Sequence, residues 1–235
     1  MGSIKDDRGY NQGFRQSKAL DIRTERRCDY VIQQMDKSES AFVLEIGCGT
    51  GEMSCILARK TSMEVLGTDL CVPFIEEAKR QYQLPNLRYR VLDFHHPDLG
   101  GQKFDYIVGN GILHHLHNNL DQTLQNLKAL LKEDGKIIFL EPNIYNPYCF
   151  LIFNTLPLFR KMANLEPDEM AFSASFITKA LRKHNYREIK VEYKDFLLPN
   201  TPDFLINPSI SLGAVLEKTP ILKMISQSIF ISAKK

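Results

Sequence analysis

Val43-Leu44-Glu45-Ile46-Gly47-Cys48-Gly49-Thr50-Gly51-Glu52 is the stretch on which the reading of this chain turns. An apolar run, residues 42–46, meets three glycines in five residues, and a helical pattern starts at Glu52. Glycine is needed where the backbone bends sharply and where a ligand must lie against it. The helix behind such a turn offers free N–H groups to an anionic part of that ligand. The spacing is GxGxG, and Glu52 stands where the dinucleotide fingerprint GxGxxG has its third glycine, so close helix–strand packing of that type is not encoded. No GKS or GKT follows, which excludes an NTP P-loop. Asp69 ends the next apolar run, about 20 residues on, where an acid can accept both hydroxyls of a ribose. The alternative reading is the cap of a helix opened by Pro73.

The same rhythm continues on both sides. Strands are expected at 42–46, 64–68, 88–92, 105–108 and 136–140, with helices starting near Glu52, Pro73 and Asn119. Leu120, Leu124, Leu127 and Leu131 form an apolar stripe that Asp134-Gly135 should stop. Upstream, Cys28, Val31, Ile32 and Met35 give one face of a helix beginning near Lys18. Downstream, a helix is expected at 173–184 and strands at 188–196 and 228–233. Strands alternating with helices imply crossover units and a parallel sheet.

The 235 residues are 43% hydrophobic and 25% charged, ordinary globular values that exclude a peptide hormone, a disulfide-stapled miniprotein and a disordered tail. Five cysteines, an odd number without a CxxC pair, argue against a disulfide framework and for a reducing, cytoplasmic setting. The polar start lacks a signal-peptide apolar core, and no run of about 18 apolar residues predicts a membrane span. A net charge of +2 makes no demand for nucleic acid.

VLEIGCGTG resembles the first motif of class I S-adenosylmethionine (SAM)-dependent methyltransferases, of the small-molecule or ubiquinone-biosynthesis-like group. GTD at 67–69, VLDF at 91–94, FDYIVGNGILHHL at 104–116 and GKIIFLEPN at 135–143 resemble its later strand-end motifs, in order. The resemblance implies an α/β, doubly wound, Rossmann-like sheet of seven strands in the order 3-2-1-4-5-7-6, the last antiparallel, with apolar lid insertions. It implies SAM as cofactor and S-adenosylhomocysteine as product. Gly47, Cys48, Gly49 and Gly51 would line the methionine part, with Glu45 near its amino group. Asp69 would hold the ribose and Leu70 flank the adenine. Asp93 would meet the adenine amino group, Phe94 lie beside the ring, and Asn110 and Gly111 present carbonyls near the cofactor's amino group. Tyr10, Phe14 and Arg15 would fold over the cofactor as a flap.

His114 and His115 are the candidate catalytic bases, because they follow the fourth strand and imidazole suits proton transfer near neutrality; His117 ranks below them. Each reads also as a packing or capping side chain. No HExxH and no carboxylate in the local pattern supports a metal there, so none is expected. The chain divides, as one methyltransferase domain over 1–235, into a flap and helix at 1–40, a SAM-binding core at 41–143, and acceptor-site lid insertions at 144–172 and 197–225. The insertions are rich in Phe, Tyr, Leu, Ile and Pro, which fits a small aromatic or lipid-like acceptor methylated on O or N. The alternatives are a SAM-binding sensor or non-catalytic subunit, and an RNA or protein methyltransferase. Residues 206–224 read as lid, membrane-surface contact or subunit interface, and the chain as monomer or homodimer. The absence of basic runs interleaved with aromatics weighs against nucleic acid.

Overall fold

Ser17 caps the first helix, its hydroxyl oxygen accepting the Leu20 N–H at 3.1 Å, and α1 (Lys18–Gln33) buries Ala19, Cys28 and Val31. The computed structural model describes residues 17–35, 40–154 and 169–235. The expected flap residues Tyr10, Phe14 and Arg15 lie outside the described residues. After α1 come β1 (Phe42–Ile46), α2 (Glu52–Lys60), β2 (Glu64–Asp69), α3 (Val72–Gln81), β3 (Leu87–Val91) and β4 (Phe104–Asn110). Two 3₁₀ turns, Leu113–His115 and His117–Asn119, lead into α4 (Leu120–Leu130) and β5 (Leu131–Pro142). Then follow α5 (Pro147–Asn154), α6 (Ala174–Lys183), β6 (Arg187–Lys194), α7 (Asp203–Leu216), a 3₁₀ turn at Leu222–Ile225 and β7 (Ser228–Lys234).

The seven strands lie in the order β3-β2-β1-β4-β5-β7-β6. β1 to β5 pair in parallel, and β7 runs antiparallel to both β5 and β6. Strand residues alternate between faces, and the core follows that alternation. Leu44, Ile46, Ile107, Ile137, Phe139 and Ile231 pack with α4 and α6. Val43, Val65, Tyr106, Val108, Ile138 and Leu140 pack with α1, α2 and α3. The sheet is therefore covered on both faces, as a parallel sheet requires.

One expected boundary is wrong. The leucine stripe was expected to run through Leu131 to Asp134-Gly135, yet α4 ends at Leu130, and Leu131 already pairs with Phe104. Asp134 takes a left-handed φ of 63° and pairing resumes at Lys136 with Tyr106, so the Asp-Gly turn bends a strand instead of ending a helix. Both Leu131 and Phe104 are fully buried, and that burial outweighs the helical periodicity. In the second apolar insertion α7 forms despite Pro208 within it, burying Ile206 beside Ala19 and Leu197. Among the described residues no helix is long and apolar enough to cross a membrane.

Candidate functional site

The parallel strands end together at Ile46, Asp69 and Asn110, and the chemistry gathers there. The glycine turn after β1 is held by its neighbour strand: the Cys48 N–H donates to Thr68 O at 2.9 Å and the Gly51 N–H to Cys48 O at 2.9 Å. Gly51 has φ 91°, and a Cβ on it would lie 2.5 Å from the Tyr89 hydroxyl, which itself donates to Gly51 O. Gly49 also has a left-handed φ, 54°, but a Cβ there meets no atom within 4 Å. Steric packing therefore forces glycine at 51, while at 49 a bare backbone faces open space.

Asp69 connects this turn to the next element. Its Oδ2 accepts the Gly49 N–H and its Oδ1 the Cys71 N–H, each at 2.9 Å. Both sequence readings of Asp69 thus keep a basis: it orders the start of α3 and sits against the glycine turn. Glu45 is buried beneath the turn, accepting the Ser54 hydroxyl. Burial pushes its carboxyl up to about 8, with the Ser54 hydrogen bond opposing. Cys48 is buried and burial pushes its thiol well up, which leaves it a space-filling residue and not a nucleophile. Leu70 is partly exposed. Asp93 Oδ1 accepts the His95 N–H at 2.9 Å. Phe94, expected beside the adenine ring, lies in the core with Leu92 and Leu99.

At the ends of β4 and β5 the structure brings together groups far apart in sequence. Gly111 turns with φ 68°, its N–H donating to Leu140 O at 2.7 Å. The buried Glu141 carboxylate then accepts the N–H groups of Ile112, Leu113 and His114 at 2.8–3.3 Å and the His114 Nδ1–H at 2.8 Å. Those bonds fix the His114 ring, leaving Nε2 as the nitrogen with a lone pair. Glu169, also buried, stands 4.0 Å from His114 Nε2 and 3.0 Å from His115 Nδ1. The 169–172 segment reaches this point by docking on the end of β5: the Phe172 N–H donates to Pro142 O at 2.9 Å and the Ile144 N–H to Phe172 O at 3.0 Å. Phe153 of α5 meets the His114 ring edge-on, centroids 6.1 Å apart. His117 lies aside, its Nδ1 buried without a hydrogen-bond partner among the described residues. The local sequence pattern offered these histidines no carboxylate; the fold supplies two.

A second buried cluster escaped the sequence reading. Arg23 and Arg27, one turn apart on α1, both donate to Asp195 Oδ2, at 2.7 and 2.8 Å. Arg27 also donates to Ser228 Oγ and, at 2.5 Å, to Asn110 Oδ1 at the end of β4. Burial alone would raise the Asp195 carboxyl, but the charges and hydrogen bonds of Arg27 and Arg23 outweigh it and hold it below the usual carboxylate range. Burial and the Arg27 charge pull Arg23 down to about 10 against the attraction of Asp195. Nothing local in the sequence marks the two arginines, because their acid lies 168 or more residues further on.

Residues 44–137 match a protein family described as a methyltransferase domain. Probable polyketide synthase 32 of Dictyostelium discoideum is 25% identical over 204 residues, 72% of this chain and 6% of its own length. Polyketide synthase PksR of Bacillus subtilis is 33% identical over 128 residues, 48% of this chain and 5% of its own length. The chain therefore spans only a small part of these relatives. Among solved structures, a SAM-dependent methyltransferase from Archaeoglobus fulgidus superposes with a TM-score of 0.62 at 19% identity, over 92% of this chain and 94% of its own. The CurJ carbon methyltransferase superposes with a TM-score of 0.59 at 19% identity, over 92% of this chain and 54% of its own. Sheet order, motif order and family match agree: residues 44–137 carry a methyltransferase domain, and the chain has the fold of these methyltransferases.

Proposed function

We propose that the protein methylates a small, apolar acyl compound at the carbon beside its carbonyl, with His114 as proton acceptor. The observation that carries this reading is the buried His114–Glu141 pair, which aims a carboxylate-backed imidazole from the ends of β4 and β5. SAM supplies a methyl group already activated on a sulfonium. The protein's task is to align the acceptor, exclude water and take a proton. The acceptor C–H bond breaks with its proton passing to His114 Nε2. The carbon's electron pair forms the new C–CH₃ bond, and the S–CH₃ pair stays on sulfur as S-adenosylhomocysteine. A carbon beside a carbonyl is a weak acid, so a buried, oriented base matters most for such an acceptor. The polyketide synthase relatives and the likeness to a carbon methyltransferase support the same choice. Methylation on O or N, the expectation from sequence, is the second reading, since the same base serves a hydroxyl. Phe153 against His114, and the bonds from Asn143 Nδ2 to Met224 O and Ser226 O, support placing both apolar insertions around the acceptor. Incubation with labelled SAM and a β-ketoacyl thioester, a phenol or an amine tests the reading. Label in the thioester alone supports it; label in the amine alone overturns it.

On the cofactor side, the open backbone at Gly49 fits a ligand laid across the turn, with Gly47 and Gly51 shaping it. Asp69 is proposed to meet the ribose, a carboxylate offering about four lone-pair sites, with Leu70, Asp93, Asn110 and Gly111 around the adenine and amino ends. Asp69→Ala is expected to weaken SAM binding by about 1.5–3 kcal/mol, read by calorimetry; unchanged affinity would remove Asp69 from the cofactor site.

Glu45, proposed to face the SAM amino group, gives a pH signature. Its carboxyl is near 8 when folded, against about 4.3 in an unfolded chain. Its contribution to stability is thus full below about pH 4.3 and is lost as pH rises through about 8. Glu45→Gln should flatten that decline in urea midpoints measured from pH 5 to 8. Saturating SAM should flatten it too, because a facing ammonium favours the ionised carboxylate. A wild-type curve unaffected by SAM would separate Glu45 from the amino group.

A further inference from the structure

We propose that His114 Nε2, His115 and Glu169 form a binding site for a divalent transition-metal ion of the zinc class, one whose occupancy shuts off methyl transfer. The three side chains offer donor atoms that all lie within 4.8 Å of one another. Two imidazoles and one carboxylate are a common ligand set for zinc, with bonds of about 2.0–2.2 Å.

Three features set this cluster apart from a chance gathering. Glu141 holds His114 through Nδ1–H, the outer-shell carboxylate–histidine arrangement that fixes a metal-binding tautomer. Glu169 stands between both rings, one carboxylate oxygen 4.0 Å from His114 Nε2 and the other 3.0 Å from His115 Nδ1, so all three donors face one another. Donors around a tetrahedral ion sit about 3.4 Å apart at these bond lengths, so the groups need to close by about an ångström. Finally, the His115 side chain is 31% exposed, so an ion has a path in from solvent while Glu169 and His114 are 6% and 9% exposed.

The consequence for activity rests on the proposed role of His114. An ion bonded to Nε2 occupies the lone pair that would otherwise take the acceptor's proton. Zinc and proton acceptor then exclude each other, and zinc acts as a reversible inhibitor. The binding claim itself needs no acceptor and stands apart from that role.

The test uses the whole protein stripped with a chelator. Zinc chloride is titrated against a chromogenic chelator, with wild type, His115→Ala, Glu169→Gln and, as control, His96→Ala in the loop after β3. One zinc per chain at micromolar or tighter affinity is expected, weakened tenfold or more by His115→Ala and by Glu169→Gln and unchanged by His96→Ala. Cobalt(II) should give visible d–d bands without a thiolate charge-transfer band. Binding that ignores both substitutions, a thiolate band, or no binding at all overturns the site. If zinc binds as described but does not slow transfer, the site stands and the assignment of His114 as base fails.

Discussion

His114→Ala is expected to lower methyl transfer by about 10²–10⁴-fold, the usual range for removing a positioned general base, while SAM affinity stays within twofold. The ring is held by Glu141 and contacts Phe153, so its removal touches the acceptor side and leaves the glycine turn and Asp69 in place. Single-turnover rates with labelled SAM and calorimetry on the same sample separate the two quantities. Glu141→Gln should fall in the same direction but also loosen the turn, because its carboxylate accepts three backbone N–H groups as well as the ring. A thermal scan separates that structural share from the chemical one. Equal loss of transfer and of SAM affinity in His114→Ala would mean that the ring belongs to the cofactor site.

Asp195→Ala is expected to be the most damaging substitution for stability. It leaves Arg23 and Arg27, both buried, without their shared acid. Breaking a buried ion pair from one side costs about 3–5 kcal/mol, and for a chain of this size that lowers Tm by about 6–20 °C. The pH dependence has a definite sign. The Asp195 carboxyl lies below its ordinary value when folded, so its contribution is full above about pH 3.9 and is lost as pH falls through the lower folded value. The gap between wild type and variant in urea unfolding should therefore be constant from pH 8 to 5 and narrow below about pH 4. A gap that vanished at neutral pH would show that the arginines find other partners. Arg27 also holds Asn110, so the variant's SAM affinity reports whether this network steadies the end of β4.

What was legible in the sequence follows local physics. Apolar runs of strand length, the glycines of a left-handed turn and an acid at the next strand end are short-range signals, and they gave a parallel α/β sheet with a ligand turn after its first strand; the strand order came from the motif resemblance. Glu141 lay within the strand-end motif GKIIFLEPN. The partnership of Glu141 and Glu169 with two histidines was not visible, since the residues are separated by 27 positions or more: Glu141 meets His114 through the pairing of β4 with β5, and Glu169 arrives through the docking of 169–172 on the end of β5. The Arg23–Arg27–Asp195 cluster was hidden for the same reason. Leu131 shows the converse limit. The helical period proposed one environment for it, and the demand to bury an apolar side chain selected another. Apolar composition marked the second insertion as a lid, but a proline within it gave no sign of α7.

The proposed reaction is methylation of carbon beside a carbonyl through the His114–Glu141 pair. The direct measurement is NMR of a β-ketoacyl thioester after reaction with SAM carrying a ¹³C methyl group. A single enriched methyl resonance coupled to the carbon between the two carbonyls is expected, absent with His114→Ala. Enrichment on an oxygen or nitrogen, or an undiminished carbon signal in His114→Ala, would contradict it.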